Sequence, residues 1–375
     1  MIDPDRFVAQ LADLGVDMYT GVPDSLLKEF GKHVMATLPR EQHIIAANEG
    51  ASVGIALGHY LRTGRPALVY LQNSGFGNTV NPLMSLADAD VYGVPMLLMV
   101  GWRGQPGVKD EPQHVTQGRV MTAMIEAMDL PYAVLPHDTQ EAEACLTEAV
   151  KQAEAGSTPY VILVEKDTFA AAEVAPTDDP LGDLASREDA LKALATAVGD
   201  DAIIVSTTGM LSRELFEHRE ATGESGALDF LTVGGMGHAS SIALGVAKQE
   251  RDREVWCFDG DGALLMHLGS LAVIADHAPD NYLHVVFNNG VHDSVGGQPT
   301  SIDVVDIPAV ARAAGYRHAE SVEDLAAVEV AIERLRDAGG PSLLELRVRP
   351  GNRPGIGRPT RTPARSKQAF MDAVR

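Results

Sequence analysis

Apolar runs rich in Val, Ile, Leu and Tyr recur along this 375-residue chain at the length of strands, separated by segments with helical patterning. They read HIIAA (43–47), PALVYLQ (66–72), VPMLLMV (94–100) and PYVILVE (159–165), then AIIVS (202–206), EVWCF (254–258), YLHVVF (282–287) and SLLELRV (342–348). Such runs are nearly continuous in apolar residues rather than alternating, as expected of strands buried on both faces. The amphipathic or Ala-rich segments between them supply the covering helices. The pattern therefore predicts an α/β protein of parallel sheets. Its first helix is well punctuated, with Asp3 as N-cap, Pro4 in the first turn and Gly15 as the stop.

Between Lys166 and Ser186 the alternation lapses into KDTFAAAEVAPTDDPLGDLAS, a stretch with prolines, acidic residues and no period. It reads as a linker over 168–186. Two doubly wound domains of similar size follow, at 1–167 and 187–375. GASVGIALG (50–58) and GHASSIALG (237–245) echo one another across that divide. Duplication explains the echo, and so does the general use of small residues where helices pack tightly on sheets.

The formal net charge of −22 argues against nucleic acid or an acidic membrane surface as partner, so any anionic ligand must meet a local positive site. The opening MIDPDRFVAQ has neither the basic start nor the apolar core of a signal peptide, and no apolar run reaches spanning length. A cytoplasmic protein is expected. Cys145 and Cys257 lack metal-ligand spacing and read as core thiols in a reducing compartment. Beyond Pro350 the chain turns basic and rich in Pro and Gly.

The sharpest chemical signal begins at EVWCF, which delivers Asp259, Gly260, Asp261 and Gly262 to the carboxyl edge of a parallel sheet, where open α/β folds bind ligands. Gly260 and Gly262 permit a sharp turn and close approach of backbone to a phosphate, and Ala263 begins a helix whose amino end favours anions. After 25 intervening residues (263–287), one helix and one strand in length, come Asn288 and Asn289. A hard cation such as Mg²⁺ takes oxygen ligands, which Asp261, Asn289 and the Val291 carbonyl can provide.

This GDG…NN pairing resembles the motif of thiamine diphosphate-dependent decarboxylases, and the resemblance covers nearly the whole chain. It implies the two-domain thiamine diphosphate-binding fold, with a pyrimidine-binding first domain and a diphosphate-binding second one. Asp261 and Asn289 then hold Mg²⁺, with Val291 as backbone ligand, and Mg²⁺ holds the cofactor's diphosphate. TTG (207–209) makes Thr208 and Gly209 diphosphate-binding candidates. Met236, in VGGMGHA, matches the apolar prop beneath the bent cofactor. In IIAANEGASVGIALG, Glu49 matches the activating carboxyl that shares a proton with the pyrimidine ring. Asn73, in LQNSGFGNTVN, either touches the cofactor or substrate or only closes a turn.

Only a short linker stands where larger relatives carry a third domain. GVPDSLLK (21–28), KDEPQH (109–114) and NNGVHDSVGGQPT (288–300) narrow the resemblance to the branch acting on phosphonopyruvate, with the sulfopyruvate enzymes close by. The implied substrate is a small 2-oxo acid bearing a second strong anion, in a phosphonate-biosynthetic setting. Acetolactate-type carboligation would use the same cofactor site. Ser25 matches a substrate-facing position, while Asp24 reads as an N-cap. His114 aligns with an active-site histidine, and His292 and Asp293 follow the metal loop closely enough to reach substrate. Arg103 and Lys109 are the first candidates for the phosphonate. Arg353, Arg358 and Arg361 are second, and a tail docked on the protein's own acidic surface is the competing expectation. The resemblance also implies a homodimer or higher homo-oligomer, with active sites at the subunit interface.

Overall fold

The computed structural model describes residues 1–173 and 182–375, so part of the expected linker, 174–181, lies outside the described residues. The chain forms two compact units, Met1–Thr177 and Asp178–Arg375. The described flanks of the linker are each anchored in their own unit, Phe169 bridging to Ile2 and Ser186 to Arg349.

The first unit opens as its sequence predicts. Asp3 accepts a hydrogen bond from Asp5 N at 3.0 Å and caps the helix Pro4–Asp13, which stops just before Gly15 at φ 83°. Its strands are β1 Tyr19–Gly21, β2 His43–Ile45, β3 Leu68–Gln72, β4 Met96–Gly101, β5 Tyr132–Val134 and β6 Pro159–Val164. They form one parallel sheet in the order β2-β1-β3-β4-β6-β5. Because side chains alternate across a strand, β3, β4 and β6 feed two cores at once. Leu68, Tyr70, Leu97, Met99, Ile162 and Val164 enter one, while Val69, Leu71, Leu98, Val100, Val161 and Leu163 enter the other. Full burial of each aliphatic side chain contributes about 1.5–3 kcal/mol, which is why these strands carry no polar alternation.

The second unit repeats the design with β7 Ile203–Ser206, β8 Asp229–Leu231, β9 Val255–Gly260, β10 Tyr282–Asn288, the short hairpin β11 Val291–His292 and β12 Gln298–Pro299, then β13 His318–Val322 and β14 Ser342–Arg347. Its parallel sheet runs β13-β14-β10-β9-β7-β8. Read from its first strand, this is the order of the first unit. In each, the second strand lies on one side of the first and the third strand on the other. The echoing segments open the helices Glu49–Thr63 and Ala239–Ala247, which follow the second strand of each sheet.

Within the two six-stranded sheets, β1, β5, β8 and β13 were not legible as apolar runs. The first three have three residues each, and β13, HAESV, is an alternating edge strand, so none carries a buried-strand signature. Cys257 is buried and Cys145 half-buried, and both are free thiols.

Arg219, on the helix Met210–Thr222, holds Asp229 of β8 at 2.9 Å, with side-chain exposures of 5% and 3%. Removing one member strands the other's charge. Arg219→Ala should lower the unfolding free energy by about 3–5 kcal/mol, whereas Arg219→Met with Asp229→Leu should be near neutral. Urea unfolding followed by circular dichroism measures both, and equal losses would show that the pair's charge is not what matters.

Candidate active site

In the second unit the strand order reverses between β7 and β9, so loops leaving their carboxyl ends diverge and open a crevice. Thr207 N donates to Phe258 O at 2.8 Å and ties the two edges together. Thr208 and Gly209 follow, half-exposed, and Gly209 at φ 102° is also the N-cap of the next helix. On the other edge Gly260 is extended and Asp261 begins the short helix Asp261–Met266, which includes Gly262 and Ala263. A Cβ at Gly262 would come within 2.9 Å of the His292 ring and 3.2 Å of the Met236 Cε, so the bare backbone lets both side chains close over it.

Asp261 is 4% exposed and accepts from Thr300 Oγ1 at 2.7 Å. Burial pushes its carboxyl up to about 7, against the Thr300 hydroxyl and the N–H groups of Gly262 and Gly290. The Gly290 contact sets the carboxyl directly beside the loop after β10. The two asparagines there divide the work. Asn288 donates to Glu345 Oε1 at 2.6 Å and accepts from Gly290 N, and so shapes the turn. Asn289 Nδ2 donates to Asp293 Oδ2 at 2.7 Å, while its Oδ1 accepts from Val291 N at 3.2 Å. A buried carboxyl with no cationic partner among the described residues, beside amide and carbonyl oxygens, is a donor set suited to a hard divalent cation. Asp261, Asn289 and Val291 therefore fit Mg²⁺.

Asp293 was expected near the substrate, but its carboxylate also takes Arg187 at 2.7 Å and Gly351 N at 3.0 Å. Arg187 in turn holds Glu214 through two hydrogen bonds of 2.9 Å. Asp293 thus orients the Asn289 amide, a role that sequence did not reveal because Arg187 lies 106 residues away. Burial holds the His292 imidazole at about 4, so it is neutral at pH 7. The tail's Arg353 pairs with Glu188 at 3.0 Å and with Glu217, which is the docked arrangement.

In the first unit the order reverses between β1 and β3, whose loops carry GVPDS and QNS. Asp24, 1% exposed, accepts from Gln72 Nε2 at 2.6 Å and Leu26 N at 3.0 Å. It is not an N-cap, because the helix begins at Lys28 after Leu27. Asn73 spends both ends of its amide on the Arg103 backbone, donating to the carbonyl at 2.7 Å and accepting from N at 3.2 Å. The Arg103 side chain is clamped by Asp110 and donates to Ser25 Oγ at 2.8 Å. Lys109 is exposed on the same loop. His114 lies in the first turn of Pro112–Ala127, buried, with Nδ1 lacking a partner among the described residues. Burial, and then Arg103, lower its pKa.

Glu49 is the first residue of its helix, capped by Asn48, whose Oδ1 accepts from Ala51 N at 2.9 Å. The carboxyl is 6% exposed and takes a 2.8 Å hydrogen bond from Asn78 Nδ2. Burial raises its pKa, and the Asn78 amide and its own N–H oppose that rise.

The second unit's crevice thus carries a buried carboxyl beside oxygen donors, and the helix after β2 of the first unit opens on a buried glutamate. Residues 4–125 match the N-terminal TPP binding domain of thiamine pyrophosphate enzymes, and residues 207–346 match their C-terminal TPP binding domain. The chain belongs to the thiamine pyrophosphate enzyme family, among its decarboxylases. It is 36% identical to the phosphonopyruvate decarboxylase of Streptomyces viridochromogenes, over 100% of this chain and 95% of that one. Identity to the phosphonopyruvate decarboxylase of Streptomyces hygroscopicus is also 36%, over 99% and 94% of the two chains. The sulfopyruvate decarboxylase of Methanosarcina acetivorans is 28% identical, over 94% and 93%.

Burial alone would raise the Asp110 carboxyl, yet Arg103 and the amides of Glu111 and Gly104 hold it well below the usual range. A depressed carboxylate stabilises the fold above its unfolded value near pH 4 and loses that contribution as pH falls. Asp110→Asn should therefore cost about 1–3 kcal/mol at pH 7, with the gap to wild type narrowing between pH 5 and pH 3. Urea midpoints across that range test the sign, and a gap that widens on acidification would refute it.

Proposed function

We propose that this chain catalyses the decarboxylation of 3-phosphonopyruvate to phosphonoacetaldehyde and CO₂, using thiamine diphosphate and Mg²⁺, as a step of phosphonate biosynthesis. The observation that carries the cofactor is the buried Asp261 carboxyl set against the 289–291 loop. The substrate rests on the two full-length Streptomyces relatives.

In this reading residues 187–375 form the diphosphate-binding domain. Asp261, Asn289 Oδ1 and the Val291 carbonyl would hold Mg²⁺, Thr208, Gly209, Gly260, Gly262 and Ala263 would bind the diphosphate, and Met236 would support the cofactor. Residues 1–167 form the pyrimidine-binding domain, where Glu49 would hold a proton for the pyrimidine ring and Asn73 holds the neighbouring loop. When bound, thiamine diphosphate supplies the electron sink that lets the carboxylate leave as CO₂. Neutral His114 and His292 are suited to accept or return protons near the reacting carbon, and the Ser25 hydroxyl, already held by Arg103, orients substrate. Since Asp110 offsets the charge of Arg103, exposed Lys109 is the stronger candidate for the phosphonate. The active enzyme is a homodimer or higher oligomer with sites at the subunit interface, in the cytoplasm. Among the described residues no helix is long and apolar enough to cross a membrane.

Sulfopyruvate is the second reading, supported by the Methanosarcina relative. With cofactor and Mg²⁺ supplied, CO₂ release should be fastest from phosphonopyruvate among phosphonopyruvate, sulfopyruvate and pyruvate. A clear preference for sulfopyruvate would overturn the substrate. Glu49→Gln should bind cofactor yet lose at least about 100-fold in kcat, the scale of a lost acid–base group. Lys109→Ala should raise KM for phosphonopyruvate far more than for pyruvate; equal changes would remove Lys109 from the anion site.

A further inference from the structure

Gly75 and Asn78 flank the Glu49 carboxyl, and Gly50 lets the Asn78 segment approach, in a way that activation by a glutamate does not by itself require. The helix Phe76–Pro82 packs against Glu49–Thr63, and a Cβ at Gly50 would stand only 2.9 Å from the Asn78 carbonyl. Gly50 thus admits the close approach that brings the Asn78 side chain over Glu49. At Gly75 a Cβ would fall 2.1 Å from Glu49 Oε1 and 2.4 Å from its Cδ, so the carboxyl lies against bare backbone. Asn78 Nδ2 donates to the other oxygen, Oε2, at 2.8 Å. Oε1 receives no side-chain hydrogen bond among the described residues.

We infer that Asn78 is a positioning residue for Glu49: its amide fixes Oε2 in the slot that Gly75 keeps open, leaving Oε1 as the oxygen that exchanges the proton. The inference rests on the proposed role of Glu49 toward the cofactor's pyrimidine ring. A neutral donor suits this task. An arginine or lysine would favour the ionised form strongly, whereas an apolar residue would leave burial opposed only by the carboxyl's own N–H.

No charged side chain contributes to the titration of Glu49; burial, the Asn78 amide and its own N–H do. On the packed elements β1, β3 and Phe76–Pro82, the ionisable residues are Tyr19 and Tyr70, which burial keeps neutral. On its own helix, His59 and Arg62 lie at the far end. The amide is therefore the one adjustable influence beyond burial.

The first test is a ¹³C NMR titration of the cofactor-free, glutamate-labelled protein, with the Glu49 resonance assigned by its absence from Glu49→Gln. Loss of a donor disfavours the ionised form, so Asn78→Ala should move the Glu49 midpoint up by about one unit, and Asn78→Asp should move it further through like charge. In the loaded enzyme the acid limb of the kcat profile should shift the same way, with kcat falling roughly 10- to 100-fold while KM changes little. Alanine favours the helix that Asn78 occupies, and Asn78→Ser, which keeps a shorter donor, should recover part of the loss. A Glu49 midpoint and acid limb unchanged in Asn78→Ala would overturn the inference while leaving Glu49 in place. Full turnover in Glu49→Gln would instead overturn the role of Glu49 itself.

Discussion

Each sheet begins inside itself. The first strand of each unit is flanked by the second on one side and the third on the other, so the loops after the first and third strands part at the carboxyl edge. The central strands are mostly apolar on both faces, and the candidate site residues lie where the backbone leaves the sheet or opens the following helix. In the second unit that edge carries TTG and GDG; in the first it carries GVPDS and QNS. One topological constraint thus places two unrelated sets of polar residues at equivalent points of two sheets.

Burial then sets the chemical character of those residues. Asp261, Glu49 and Asp24 are carboxyls almost without solvent, and desolvation raises all three. What distinguishes them is what opposes desolvation. Asp261 receives a hydroxyl and backbone amides beside further oxygen donors, an arrangement suited to a divalent cation. Glu49 receives the neutral Asn78 amide and no charged partner among the described residues. Asp24 receives Gln72 and the Leu26 amide, with Arg103 nearby, and organises the loop that presents Ser25. Similar acids, in different company, suit different tasks.

Cations are managed as closely. In a chain of net charge −22, Arg103, Arg187 and Arg219 are half-buried or buried, and each is committed to carboxylates of its own unit. Arg187 secures Asp293 and through it the Asn289 amide, while Arg353 holds the basic tail against Glu188 and Glu217. Little positive charge is left at the first unit's crevice, which sharpens the interest in exposed Lys109.

The sequence by itself determined the α/β class, eight strands of the two six-stranded sheets, and the first helix with its cap. Those signals are local: apolar runs, an aspartate immediately before a helix, and glycines and asparagines on either side of a helical segment and a strand, which the structure divides into two short helices, Asp261–Met266 and Ser270–His277, and β10. Only the tertiary structure decided that Asn78 meets Glu49, that Asp110 occupies Arg103, that Asp293 turns inward to Arg187, and that Asn73 closes on the Arg103 backbone. These pairings depend on which loops a shared strand order brings to the same edge. Polar side chains of ordinary type carry no periodic signature of the partner they will find across a fold.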